Sequence, residues 1–273
     1  MINTIKYYYN LNINDLKQVE NDFYFDDYIL KMCYRDLNIE LYNYLIKQSI
    51  YLYPIIYNRN NEYITIINNK PYILLKVNKH NKISLELLNK YNVPLIFPEQ
   101  PDWATKWSIK VDYYEKNIEN VKDETIKKSF QYYIGMTENA ILLFKTLKLS
   151  NFTFLCHLRF DNDYSFYDPL NIIVDYKMRD YAEYIKEEFY KNNKYYNDFI
   201  EKIINNYHYN DVMLFFIRML YPTQFYDAYD NYLKKEKVNY NFFFKKDKYE
   251  MYLKSIFKKI SKKYNVINID WLK

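Results

Sequence analysis

Glycine is almost missing from this sequence: Gly135 stands alone among 273 residues. A loop that brings its backbone amides against a phosphate depends on glycine, because a Cβ blocks the approach. Walker-type and dinucleotide-binding loops are therefore excluded, and so is the glycine-rich flap of a protein kinase. Cysteine is scarce too. Cys33 and Cys156 lie far apart, which points to a reducing compartment and gives no zinc-site spacing. No apolar run is long enough to cross a bilayer, and Met1 to Asn10 lack the pattern of a signal peptide. A cytoplasmic protein is the expectation.

What the chain has in excess is tyrosine, 36 residues, together with Asn, Lys, Ile and Phe. These amino acids share AT-rich codons, so the base composition of an AT-rich genome accounts for them without any aromatic function. Tyrosine can serve as a core residue with a polar tip. Hydrophobic residues make up 49% of the chain, enough for a sizeable core and against disorder. The net charge of +5 is modest, and acidic residues are mixed in throughout. The lysine runs at Lys234–Lys237 and Lys258–Lys263 read as solvated helix faces rather than a nucleic-acid stripe. Stacking on tyrosines with lysine–phosphate contacts would be the chemistry of a nucleic-acid binder, but nucleic acid is not the expected partner.

The prolines Pro94, Pro98 and Pro101 mark the clearest break, dividing residues 1–97 from residues 98–273. In the first part a helix is expected over Asp36–Lys47. Strands are expected over Glu62–Ile67 and Tyr72–Val77, joined by a turn at Asn68, Asn69 and Lys70. Ser84–Tyr91 reads as a helix, and only Val93–Phe97 then precedes the prolines. The second part is mostly helical, with helices over Thr125–Leu147, Tyr181–Tyr190, Tyr195–Tyr207, Asp211–Leu220 (stopped by Pro222) and Tyr249–Tyr264. Phe152–Cys156 and Leu170–Val174 read as strands. Gly135 falls inside the longest helix, where it costs about 1 kcal/mol against alanine. Close packing against another element is the expected reason for it.

The chemistry lies in residues 154–184, FLCHLRFDNDYSFYDPLNIIVDYKMRDYAEY. A strand delivers His157, a polar loop follows, a second apolar run ends in Asp175, and Asp180 opens a helix. This layout resembles the catalytic segment of the aminoglycoside phosphotransferase and choline kinase-like superfamily, with its His-Gly-Asp, an Asn five residues on, and a strand ending in a metal-binding Asp. His157 takes the His position, Leu158 replaces Gly, and Arg159 replaces the catalytic Asp. Tyr164 stands where the Asn belongs, with Asn162 and Asp163 nearby. The resemblance implies that Asp175 is the metal ligand and that Asp180 braces the loop. It matches Lys76, in the strand YILLKV, to the lysine that contacts nucleotide phosphates, with Glu86 as its partner.

Further stretches narrow the likeness. WSIKVDYYE (107–115), YYIGMTENAI (132–141), FIRMLYPTQFYD (216–227) and DYKMRDYAEYIK (175–186) are similar to the bacterial spore coat kinase-like branch, the spore coat protein S-like family. The expected fold is accordingly α+β and protein-kinase-like in two lobes. Residues 1–97 form a small mixed lobe with a reduced antiparallel sheet, and residues 98–273 form a helical lobe with a degenerate catalytic loop at 154–180.

A guanidinium stays protonated and cannot accept a substrate proton. The expected protein is therefore a pseudokinase, a binding or scaffold component of a spore coat whose partners are other proteins. The alternative is an active small-molecule phosphotransferase using ATP and Mg²⁺, with Asp161 or Asp163 as base and Asp175 on the metal. Each residue also has a plainer reading. His157 fits a core histidine, Asp161 and Asp163 a solvated turn, Asp180 a helix cap, Lys76 an exposed strand lysine, and Cys156 a small buried side chain. His80 and His208 read as surface residues.

Overall fold

Short apolar runs broken by Asn-, Asp- and Glu-bearing turns build a sheet from the first part of the chain. A computed structural model describes residues 1–77, 81–95, 101–149 and 152–272. Contacts group these into two compact units, Met1–Ser84 with His157–Ile172, and Leu85–Cys156 with Ile173–Lys273. His80 and, of the proline cluster, Pro98 lie outside the described residues.

The first unit contains helix α1 (Ile2–Tyr9), strands β1 (Lys17–Val19), β2 (Asp22–Phe25) and β3 (Tyr28–Met32), helix α2 (Ile39–Lys47), and strands β4 (Ile55–Ile56), β5 (Thr65–Ile67) and β6 (Lys70–Lys76). The strands form an antiparallel sheet in the order β1-β2-β3-β6-β4, with β5 also paired to β6. Tight turns need left-handed residues, which glycine usually supplies. Here Glu20, Asp26, Asn68 and Asn69 take positive φ instead. The Asn68–Asn69 turn is thus where the sequence placed it, while β1, β2 and β3 escaped the sequence reading. One face of the sheet buries Phe23, Phe25, Leu30, Tyr72 and Leu74 against Ile5 and Tyr9 of α1. The Asn38 side chain accepts from Leu41 N at 2.9 Å and starts α2, three residues later than expected at Asp36.

The second unit contains α3 (Leu85–Tyr91), β7 (Pro94–Leu95), α4 (Trp103–Asn117), α5 (Glu124–Lys145), β8 (Thr153–His157) and β9 (Ile172–Asp175) apart from their end residues His157 and Ile172, α6 (Arg179–Asn192), α7 (Asn197–Asn206), α8 (Tyr209–Leu220), α9 (Thr223–Leu233), α10 (Asn241–Phe244) and α11 (Lys246–Lys263). β7, β8 and β9 make a small sheet in that order. The tyrosines are core residues here, and their hydroxyls find partners inside. Tyr133 stacks on Phe225 at 4.7 Å and donates to Phe242 O, and Tyr249 donates to Met219 O. Trp107 stacks on Tyr221 at 4.4 Å. The lysines of α11 are partly committed: Lys263 donates to Ile204 O and Asn205 O at the end of α7, and Lys259 pairs with Glu201. Among the described residues no helix is long and apolar enough to cross a membrane, and both cysteines are free.

The expected close approach at Gly135 is corrected: a Cβ there meets nothing within 4 Å. With helical backbone and open space, Gly135→Ala removes only the entropic handicap of glycine. The variant is expected to be more stable by about 1 kcal/mol, read as a higher urea midpoint at unchanged slope.

Candidate functional site

The loop that follows β8 belongs to the first unit. His157 is fully buried and stacks on Phe166 at 4.2 Å, in keeping with the core histidine reading. Arg159 is half-buried, and its Nη1 donates to Leu158 O at 2.8 Å. Asn171 organises the loop. Its Oδ1 accepts from Arg159 N at 2.9 Å, and its Nδ2 donates to Arg159 O and Ser165 O. Asp163 Oδ1 accepts from Ile83 N at 2.8 Å, so this carboxylate ties the loop to the chain that follows β6. Asp161 is exposed.

The same loop carries Asp168, which is 5% exposed. Its Oδ1 accepts from Leu170 N, and its Oδ2 lies 3.2 Å from Lys31 Nζ. Lys31 also lies 3.4 Å from Asp22 Oδ2. Burial works against the Lys31 ammonium, but Asp168 and Asp22 outweigh it and raise its pKa above the usual value. Burial pushes the Asp168 carboxyl upward, opposed by Lys31. Further bonds fix this segment to the sheet: Tyr34 OH donates to Leu170 O, and Tyr53 N donates to Tyr167 O, both at 2.9 Å.

Lys31 was not singled out in the sequence. Protein kinases carry their phosphate-contacting lysine on the third strand. The third strand of this sheet holds Lys31, whereas Lys76 is the exposed last residue of β6. Only recognition of β1 and β2 would have revealed that numbering. The turn between β1 and β2 consists of Glu20 and Asn21 and has no glycine, and Asp22 opens β2.

The second unit holds Asp175 at the end of β9, 1% exposed. Its Oδ1 accepts from Trp103 Nε1 at 2.8 Å and from Tyr176 N at 2.7 Å, and its Oδ2 accepts from Arg179 Nη1 at 2.7 Å. Arg179 and Arg218 both face the ring of Trp103, at 5.2 and 4.8 Å from its centroid. Arg218 Nη2 donates to Glu183 Oε1 at 2.7 Å. Lys186, wholly buried, meets Glu183 Oε2 at 3.0 Å and donates to Tyr221 O and Thr223 Oγ1. Burial pulls the Lys186 pKa down to about 8, against the pull of Glu183. Asp180 is buried in the first turn of α6, one residue inside the start rather than at the cap, which is Met178.

Among the described residues no three His, Cys, Asp or Glu side chains gather as a metal site would. The donors around Asp175 are a guanidinium, an indole N–H and an amide N–H, and a cation there would sit beside the guanidinium of Arg179 with that of Arg218 across Trp103. Mg²⁺ therefore does not fit Asp175 as it stands. Glu86 is exposed on α3 and lines a cavity of about 650 Å³ shared with Asn89, Tyr195, Tyr196 and Lys202.

The family profile described as "Spore coat putative kinase YutH" matches residues 98–268. No curated protein sequence matches the chain. An aminoglycoside phosphotransferase from Alicyclobacillus acidocaldarius is similar in structure, with a TM-score of 0.60 over 93% of this chain and 94% of that one at 9% identity. The AMP-bound complex of spectinomycin phosphotransferase APH(9)-Ia gives 0.55 over 97% and 98% at 13% identity. At such identities the likeness establishes the fold alone, a mixed α+β kinase-like architecture with an antiparallel sheet in the N-terminal part and helices in the C-terminal part.

Proposed function

Because this chain belongs to the spore coat putative kinase family, we propose that it is a kinase-fold protein that transfers no phosphate and acts as a binding or scaffold component of a spore-coat assembly. Arg159 is the observation that carries this reading. It stands where the related enzymes place the group that accepts the substrate proton, and a guanidinium stays charged at working pH. Two further features support it. Asp175 is engaged by Arg179, Trp103 and Tyr176. The turn between β1 and β2, Glu20 and Asn21, has no glycine to bring amides against a phosphate. In this reading His157 is a core residue, Asp163 and Asn171 shape the loop, and Asp175 and Asp180 are structural. Lys76 and Glu86 have no role in holding nucleotide. Partners are other proteins of the assembly, in a soluble compartment.

Phosphoryl transfer is mostly positioning and charge stabilisation by metal and lysine. A chain lacking the acceptor, a fit for the metal and the flap should show no turnover of Mg-ATP above background with aminoglycoside, choline or sugar acceptors. Robust turnover lost in Asp163→Asn would replace this reading with an active phosphotransferase using Asp163.

A further inference from the structure

We propose that α10 and α11 form a docking surface for an anionic lipid bilayer, with lysines of α11 on the headgroups and Phe244 and Met251 dipping between them. The proposal does not depend on whether the kinase fold is active. It adds a lipid surface to the protein partners of the assembly.

The charge of the chain is divided unevenly. Residues 234–273 hold twelve lysines against four acids, a net charge of +8, while the residues before them are net −3. A face that is merely solvated needs no such imbalance, and a segregated basic segment is the electrostatic mark of an anionic partner.

Helix α11 shows how the excess is arranged. One side of it, with Tyr249, Leu253, Ile256 and Ile260, is buried in the second unit. On the other side Lys248, Met251, Ser255, Lys258 and Lys262 are exposed, at steps of three and four residues that place them along one stripe. Neighbouring lysines are already engaged: Lys254 by Glu250, Lys259 by Glu201, and Lys263 by carbonyl oxygens at the end of α7. Among the described residues no carboxylate pairs with Lys248, Lys258 or Lys262. Asp247 is the exposed acid beside them.

Apolar groups stand at the N-terminal end of the same helix. Phe244 is 76% exposed, Met251 63% and Phe243 41%. The ring of Tyr132 carries Lys246 at 4.2 Å and meets the half-buried Trp271 at 6.3 Å. Exposed apolar groups rimmed by cations mark an interaction surface. A bilayer matches both parts, since its anionic headgroups attract lysine and its interface takes up aromatic rings. Nucleic acid would be served by the lysines but not by a thioether. The segment 234–273 also has no arginine, the side chain best shaped for phosphate recognition.

The test is co-sedimentation of the full chain with vesicles of phosphatidylcholine and phosphatidylglycerol, against vesicles of phosphatidylcholine alone. Binding is expected to the anionic vesicles only, and to weaken as salt rises. Each basic residue near such a surface is worth about fivefold in affinity, so Lys248→Gln/Lys258→Gln/Lys262→Gln should bind roughly a hundredfold more weakly. Lys6→Gln/Lys17→Gln/Lys47→Gln removes the same charge from exposed positions of the first unit, and should bind within about threefold of wild type. Phe244→Ser/Met251→Ser keeps the charge and should bind at least about tenfold more weakly. All eight positions are exposed or half-exposed, so folding survives these changes. Absence of wild-type binding to the anionic vesicles overturns the proposal, as does equal binding to phosphatidylcholine alone. An equal loss in the first-unit variant overturns it too, and so does full binding by Phe244→Ser/Met251→Ser, which would leave a surface of charge alone. Tighter binding to single-stranded DNA than to the vesicles in the same buffer overturns it in favour of a nucleic-acid site.

Discussion

Asp175→Ala is expected to cost about 3–5 kcal/mol of unfolding free energy, the size seen when one partner of a buried ion pair is removed. Its partner Arg179 is 2% exposed and would be left as a buried guanidinium. The indole N–H of Trp103 and the amide of Tyr176 would lose their acceptor as well. For a chain of this size the loss corresponds to a melting temperature lower by roughly 6–20 °C. Asp175→Asn should cost less, because an amide oxygen still accepts from Trp103. Denaturant unfolding of the three proteins measures this directly. A ligand for a catalytic metal behaves differently, since its removal relieves negative charge and leaves folding intact. If Asp175→Ala is as stable as wild type, the side chain is not the structural anchor described above.

Glu183→Ala should have an effect of comparable size, and one that depends on pH. Glu183 is the carboxylate shared by Arg218 and Lys186. Without it two cations remain in a buried site. Burial already lowers the Lys186 pKa to about 8 in the folded protein, against an ordinary value near 10.5. Between those values the unfolded chain binds the extra proton, so the penalty for burying the ammonium is full below about pH 8 and is relieved as pH rises. Removing Glu183 lowers the folded pKa further. The excess cost of Glu183→Ala is therefore expected to be largest below neutral pH, to shrink as pH rises toward about 8 and to level off above it, where Lys186 is neutral in both folded proteins. Buried thiols and tyrosines also titrate at alkaline pH, but they are common to both proteins and cancel in the difference. Urea unfolding at pH 6.5, 7.5 and 9 compares the two. A cost that stays constant across that range would mean that Lys186 does not carry the effect.

Long periodic stretches were legible. Helix α5 was expected over Thr125–Leu147 and spans Glu124–Lys145, and α11 was expected over Tyr249–Tyr264 and spans Lys246–Lys263. Their apolar stripes leave little choice of structure. The hairpins of β1, β2 and β3 were hidden. Their strands are three to five residues long and their turns use Glu20 and Asp26, so neither the period nor a glycine punctuates them. The candidate site followed the same division. His157, Arg159 and Asp175 stand in a contiguous motif and could be read directly. The hold of Arg179 on Asp175 is local, four residues on, and was readable in principle. Trp103 lies 72 residues from Asp175 and Lys31 lies 137 residues before Asp168, and only the fold brings such pairs together.

The pairing of Asp175 with Arg179 also makes the two positions interdependent. Losing the guanidinium alone leaves a buried carboxylate held only by the indole N–H of Trp103 and the amide of Tyr176. Losing the carboxylate alone strands a buried guanidinium. Substitutions at either position are therefore expected to be tolerated together more readily than singly, so a carboxylate at 175 and a guanidinium at 179 travel as one unit.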